Sequence, residues 1–169
     1  MADGRVVPSE PQTFRDAAAY NPATDRWRKL AQMPSTLPSI PGPALWDGRE
    51  VLFLSGSSTR GLAYNPATNR WRLLPAMPLP RSGFAAVWTG HLVLVWGGLS
   101  GRYPTWQPSA HGEAYDPAAN RWTALPASPL HGRAGPAAVW TGRQMIVWGG
   151  SIPRLTTTTY YTDGGVYTP

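Results

Sequence analysis

The sequence predicts an all-β protein built from small four-stranded antiparallel sheets repeated along the chain. Three observations predict it: a recurring octapeptide, a second glycine-ended motif that keeps step with it, and a turn-forming composition. The octapeptide runs from Tyr20 to Trp27 as YNPATDRW, from Tyr64 to Trp71 as YNPATNRW and from Tyr115 to Trp122 as YDPAANRW, returning after 44 and then 51 residues. Ala86-Val87-Trp88-Thr89-Gly90 returns as Ala138-Val139-Trp140-Thr141-Gly142, and Val95-Trp96-Gly97-Gly98 as Val147-Trp148-Gly149-Gly150, both 52 residues on. A weaker copy, Ala44-Leu45-Trp46-Asp47-Gly48 followed by the run 51–56, precedes them. The 18 Gly and 19 Pro among 169 residues exclude long helices, because proline fixes φ and removes a donor. Nine Trp interleaved with those turns argue against disorder.

Each element follows in order. Strand a is the apolar run ending at Trp88, Thr89-Gly90 is a hairpin turn, and strand b is the run 92–96. Gly97-Gly98 ends strand b where close backbone approach or a positive φ is required. Strand c ends at Tyr115. The Asp-Pro or Asn-Pro after the tyrosine starts a turn, with the Asx side chain bonding forward and Pro presetting φ. Strand d opens with Trp122, and the stretches 33–43, 77–81 and 128–133 lead back to the next strand a. Even the ends keep register, since Asp3-Gly4-Arg5 precedes Asp47-Gly48-Arg49 by 44 residues and Tyr167 follows Tyr115 by 52. The repeated Tyr and Trp are expected to pack between neighbouring sheets, with Trp122 buried there.

Four antiparallel strands with a diglycine and a spaced Tyr and Trp, at a period near 50 residues, resemble the kelch repeat of β-propellers. Gly97-Gly98 and Gly149-Gly150 match the family diglycine, Tyr64 and Tyr115 its tyrosine, and Trp71 and Trp122 its tryptophan. Ser55-Gly56 departs from the pattern, standing where a Gly pair is expected. The resemblance implies a single kelch-like segment over 1–169, an incomplete ring of two full blades and two partial ones. They are a partial blade 1–34 with strands b, c and d, a blade 43–78, a blade 82–129, and a partial blade 134–169 with strands a, b and c. Propellers close with roughly four to eight blades. We therefore expect an excerpt of a ring of about six or seven blades, next a homo-oligomer in which copies join head to tail to complete the propeller, and third an open arc.

Several functions fall away. The absence of cysteine excludes disulfides and thiolate metal sites, and no apolar run reaches the roughly 18 residues of a membrane-spanning helix. Residues 1–10 carry no apolar h-region and so no visible secretion signal, which leaves the compartment open. The net charge of +6 comes from scattered arginines and the single Lys29, with no basic stripe, so no nucleic-acid partner is expected. No G-x-S-x-G, H-E-x-x-H or phosphate loop occurs, and His91, His111 and His131 lie twenty residues apart. No catalytic centre, metal or cofactor is therefore expected. Kelch-type copper-radical oxidases use a cysteine-crosslinked tyrosine, which this chain cannot form.

In an up-and-down blade the b–c and d–a connections share one face and the a–b and c–d turns the other. The a–b and c–d turns hardly vary between copies, whereas the b–c segments 57–60, 99–111 and 151–163 vary greatly, as recognition loops on a fixed frame do. The resemblance points to the same face. Candidate ligand-binding residues there are Arg102, Tyr103, Trp106 and His111 in the second loop, Arg154, Tyr160 and Tyr161 in the third, and Arg60, Arg81 and Arg133 along the same mouth. Arginine offers a planar donor fork and an aromatic ring a stacking plate, whereas the competing role for such aromatics is to pin their own loop to the blade. Thr156 to Thr159 reads as an exposed β segment or linker rather than a site. The expected function is a non-catalytic recognition module for a protein loop or an acidic glycan. The alternative is a fragment of a sugar-active propeller resembling sialic-acid isomerases, for which His111, Glu113 or Asp163 would supply acid and base. A purely structural repeat is the third reading.

Overall fold

The computed structural model describes residues 15–34, 42–56, 59–101 and 105–169. They fall in two compact units, residues 1–39 and 40–169. In the first unit β1 (Ala18–Asn21) and β2 (Arg26–Lys29) form one hairpin, with Tyr20 opposite Trp27. The strand b expected before it falls in residues 1–14, outside the described residues.

The second unit holds three larger antiparallel sheets and two two-stranded ones and, among the described residues, no helix. In the first sheet β3 (Ala44–Trp46), β4 (Val51–Phe53), β5 (Leu62–Asn65) and β6 (Arg70–Leu73) pair in sequence order, despite the imperfect Ser55-Gly56 pair. In the second, β7 (Ala85–Trp88) and β8 (Val93–Trp96) lead into a short side hairpin, β9 (Leu99–Ser100) with β10 (Gln107–Pro108). The chain then returns through β11 (Gly112–Asp116) and β12 (Arg121–Ala124) to complete the order β7-β8-β11-β12. The third repeats this plan with β13 (Ala137–Trp140), β14 (Met145–Trp148), a side hairpin of β15 (Ser151–Pro153) and β16 (Thr158–Tyr160), and β17 (Gly164–Tyr167) as strand c. Three antiparallel up-and-down sheets in this order are β-propeller blades, and the described sheets do not close into a ring. The four short strands absent from the sequence reading are the two side hairpins. They grow out of the long b–c loops.

Period-two alternation assigns each strand's side chains to two seams. On β8, Val93 and Val95 enter the seam with the first blade, joining Leu52, Leu54, Ala63, Leu74 and Met77, while Tyr115 of β11 enters beside them. Leu94 and Trp96 point the other way, into the seam with the third blade, where they meet Met145 and Val147. Residues 93–95 are fully buried as a result. Strand β7 lies against both β3 and β13, so the a strands neighbour one another along one edge of the three blades.

The octapeptide closes every c–d turn in the same way. Asn21, Asn65 and Asp116 each accept a backbone N–H two residues ahead with Oδ1, at 2.9, 2.9 and 2.8 Å. Asp25, Asn69 and Asn120 then take the left-handed conformation, with φ of 51°, 53° and 51°. That conformation suits Asx better than other L-residues. Their Oδ1 atoms each accept the phenol O–H of the tyrosine five residues earlier, at 2.8 Å in all three copies. The same tyrosine ring lies 5.2, 4.9 and 5.2 Å from the tryptophan opposite it. Trp122 also crosses the seam, its Nε1–H donating to Pro75 O at 3.1 Å. Trp122 is half-buried rather than enclosed, which lowers the expected cost of removing it.

Trp122→Ala should therefore destabilise the chain by about 2–4 kcal/mol, below the upper range for enclosed aromatics. Asn120→Ala, which loses the tyrosine's acceptor and meets left-handed strain, should cost about 1–2 kcal/mol more than Asn120→Gly, which loses only the acceptor. Urea unfolding of the three variants measures both differences. Equal costs for the two Asn120 variants would remove backbone conformation from the account.

Candidate functional site

The diglycines bring the b–c and d–a connections together. Gly97 and Gly98 have φ of 80° and 96°, and a Cβ on Gly98 would stand 2.8 Å from Ser82 O. Such closeness lets Gly98 N–H donate to Arg133 O at 2.8 Å, tying the second blade's b–c loop to the d–a loop entering the third. Ser82 and Ala134, at the ends of the d–a loops, form antiparallel bridges to Leu99 and Ser151 at the starts of β9 and β15. The two kinds of loop thus share one end of the blades, as the topology requires.

At the root of that end lie two arginines. Arg81 is fully buried and pairs through Nη2 with the Glu113 carboxylate, while its Nη1 donates to Gly97 O at 3.2 Å and His111 O at 2.8 Å. Arg133 repeats the arrangement one blade on. Its Nη1 reaches Asp163 Oδ1 at 2.6 Å and Gly149 O at 3.3 Å, and its Nε donates to His131 O at 2.9 Å. The guanidinium of Arg133 also sits 3.9 Å from the centre of the Tyr161 ring and 5.9 Å from that of Trp96. Both arginines were expected to line the mouth, but they present no surface to a ligand. Each clamps the end of strand b to the start of strand c, its guanidinium donating to the first glycine's carbonyl and pairing with a carboxylate at the start of strand c.

The two acids in these clamps titrate in opposite directions because their exposure differs. Burial pushes the Glu113 carboxyl up from its ordinary value and the Arg81 guanidinium down, each against the attraction of the other. Asp163 is more than half exposed, so little desolvation opposes Arg133, whose hydrogen bond holds that carboxyl below the usual 3.8. Arg81 Nε makes no hydrogen bond, a deficit that Arg133 Nε avoids.

Of the remaining expected residues, Arg60, Trp106, His111, Arg154 and Tyr160 are exposed. Tyr161 is half-buried between Arg133 and the His131 ring, whose centre lies 6.3 Å away, so it pins the third loop to its blade. Arg102 and Tyr103 lie outside the described residues. Thr158 and Thr159 belong to β16, an exposed β segment. Leu155, strongly exposed at the tip of the β15–β16 hairpin, escaped the sequence reading. Its signal was an apolar residue between Pro153-Arg154 and a β-branched run, which is a hairpin pattern. Among the described residues no group of three metal-ligating side chains occurs, and no helix is long and apolar enough to cross a membrane.

Residues 80–129 match the Kelch motif. That stretch is the second blade with the clamp residue Arg81 at its start. The fold also resembles the solved structure of YjhT at 16% sequence identity and a TM-score of 0.60, over 85% of this chain and 56% of that one. This chain therefore spans little more than half the length of that kelch propeller, and at such identity the likeness concerns the fold alone. No curated protein matches the sequence.

Arg81→Ala should destabilise the chain by about 3–5 kcal/mol, since it strands a buried carboxylate, whereas Arg81→Met with Glu113→Leu should lie within about 2 kcal/mol of the parent. Asp163 contributes acid sensitivity. Its folded-state value is depressed, so its stabilisation is complete above the ordinary value of 3.8 and is lost as pH falls through the lower folded value. Glu113 is displaced the other way and does not add to this loss. Asp163→Asn should flatten the acid limb of a plot of unfolding free energy against pH, and an unchanged limb would contradict the assignment.

Proposed function

We propose that the chain is a non-catalytic recognition module that binds a protein partner at the end of the blades where the b–c and d–a loops gather. One observation carries the reading: the β15–β16 hairpin stands out from the third blade and presents Leu155 and Tyr160, 71% and 77% exposed. Large apolar side chains held in the open by a hydrogen-bonded hairpin are what a protein contact uses as anchors. Trp106, His111 and Arg154, carried on the b–c connections, are exposed as well. The match to the Kelch motif supports a protein-binding role, since kelch repeats commonly mediate protein binding.

The other expectations lose support for physical reasons. An acidic glycan would call on several arginines, yet Arg81 and Arg133 are enclosed, leaving Arg60 and Arg154 exposed among the described members of that set. A sugar isomerase would need an acid and a base free to exchange protons. Glu113 and Asp163 are each held in an ion pair with an arginine. Head-to-tail assembly with a second copy, also expected from the strand count, is a separate proposal developed below.

Peptides selected from a display library on the intact chain test the reading. Their affinity should fall at least about tenfold with Tyr160→Ala or Leu155→Ala, and should be indifferent to His91→Ala in the a–b turn at the other end. Peptides that ignore Tyr160 and Leu155 would overturn it, as would isomerisation of sialic acid abolished by His111→Ala.

A further inference from the structure

The third blade has two faces, and only one of them is covered. The covered face carries Met145 and Val147 into the seam with the second blade. The opposite face carries Val139, Trp148 and Val166, which are 54%, 58% and 60% exposed, with Ile146 between them. Their counterparts one repeat earlier, Val87, Trp96 and Ala114, are 6%, 5% and 4% exposed, because the third blade lies on them. The strand registers are the same in both blades: Val139 faces Ile146 and Ile146 faces Val166, as Val87 faces Leu94 and Leu94 faces Ala114. An apolar sheet face that is dry in one copy of the repeat is thus open to water in the next.

The complementary surface is present on the same chain. In the seam between the first and second blades, Tyr115 and Trp122 lie against Leu45, Leu52, Leu54 and Ala63. The equivalents of these four residues on the third blade are Val139, Ile146, Trp148 and Val166. The equivalents of Tyr115 and Trp122 on hairpin β1–β2 are Tyr20 and Trp27, paired in the same register with ring centres 5.2 Å apart. Trp27 is 70% exposed and Tyr20 46%.

We infer that two copies of this chain associate head to tail, the Tyr20–Trp27 face of one copy packing on the Val139, Ile146, Trp148 and Val166 face of the other. Such a contact is heterologous: it uses two different surfaces of one chain and repeats the seam already built twice between consecutive blades. Its apolar rings supply the driving force, since each loses water that its buried counterparts have already lost. The occupant is a second copy because the Tyr–Trp pair that covers the equivalent face between consecutive blades is present on the same chain, in the same register and exposed. The inference does not depend on the loop-mediated binding proposed above.

Sedimentation of the 169-residue chain over a concentration series tests it. The parent should run at twice its chain mass or above. Trp27→Glu and Trp148→Arg should each weaken association by about 30-fold or more, and Val166→Lys serves as a second variant on the third-blade face if Trp148→Arg does not fold. An equimolar mixture of Trp27→Glu with either third-blade variant should recover a dimer and go no further, because one intact contact remains between the two chains. A parent that stays monomeric at all concentrations would overturn the inference, whether its own hairpin or nothing covers the face. Association that survives the variants, or a mixture of folded variants that stays monomeric, would overturn it equally.

Discussion

The structure depends on one constraint: a blade of this kind cannot keep both faces dry by itself. Each sheet is one residue thick and alternates its side chains to opposite sides, so half of its apolar surface must be covered by the blade before and half by the blade after. Strand β8 meets the requirement in full, with Val93 and Val95 in one seam and Leu94 and Trp96 in the other. Strand β14 meets it by half. Met145 and Val147 are buried while Trp148 is open. The gradient from the second blade to the third follows from position in the array, since both carry nearly the same sequence.

The seams set the spacing of the blades, and the glycine-rich end sets where the loops emerge. At each diglycine a buried arginine donates to the first glycine's carbonyl and pairs with a carboxylate at the start of strand c. Burying such a pair gains little net stability. Its contribution is geometric, because it fixes the start of the b–c loop against the d–a loop and so lets the side hairpins β9–β10 and β15–β16 project from a rigid base. Sequence variation can then concentrate beyond the clamp without disturbing the seams.

Much of the fold was legible because it is repeated. Trp88 ends its strand as the sequence predicts, Tyr115 and Trp122 stand one residue inside the ends of theirs, and the a–b and c–d turns stand where Thr89-Gly90 and Asp116-Pro117 place them. The site was less legible. Arg81 and Arg133 were read as mouth residues because an arginine in a loop looks the same on paper whether it faces solvent or an internal acid. The acids that follow them near the start of strand c, Glu113 after 32 residues and Asp163 after 30, were the available clue to internal pairing. Asn69 and Asn120 passed unnoticed inside the octapeptide, although their place five residues after the tyrosine is what the phenol bond demands. Tyr160 and Tyr161 are adjacent in sequence yet differ in role. Strand alternation turns one outward and the other onto Arg133.

Native-state hydrogen exchange measures the central claim most directly, because it ranks the strands by how fully both their faces are covered. Backbone amides of β8, enclosed by two seams, should be the slowest in the chain and should exchange only through global unfolding, with β14 and β17 opening more readily. Amides of β8 that exchange as fast as those of β17 would contradict the claim that neighbouring blades, rather than each sheet alone, hold this structure together.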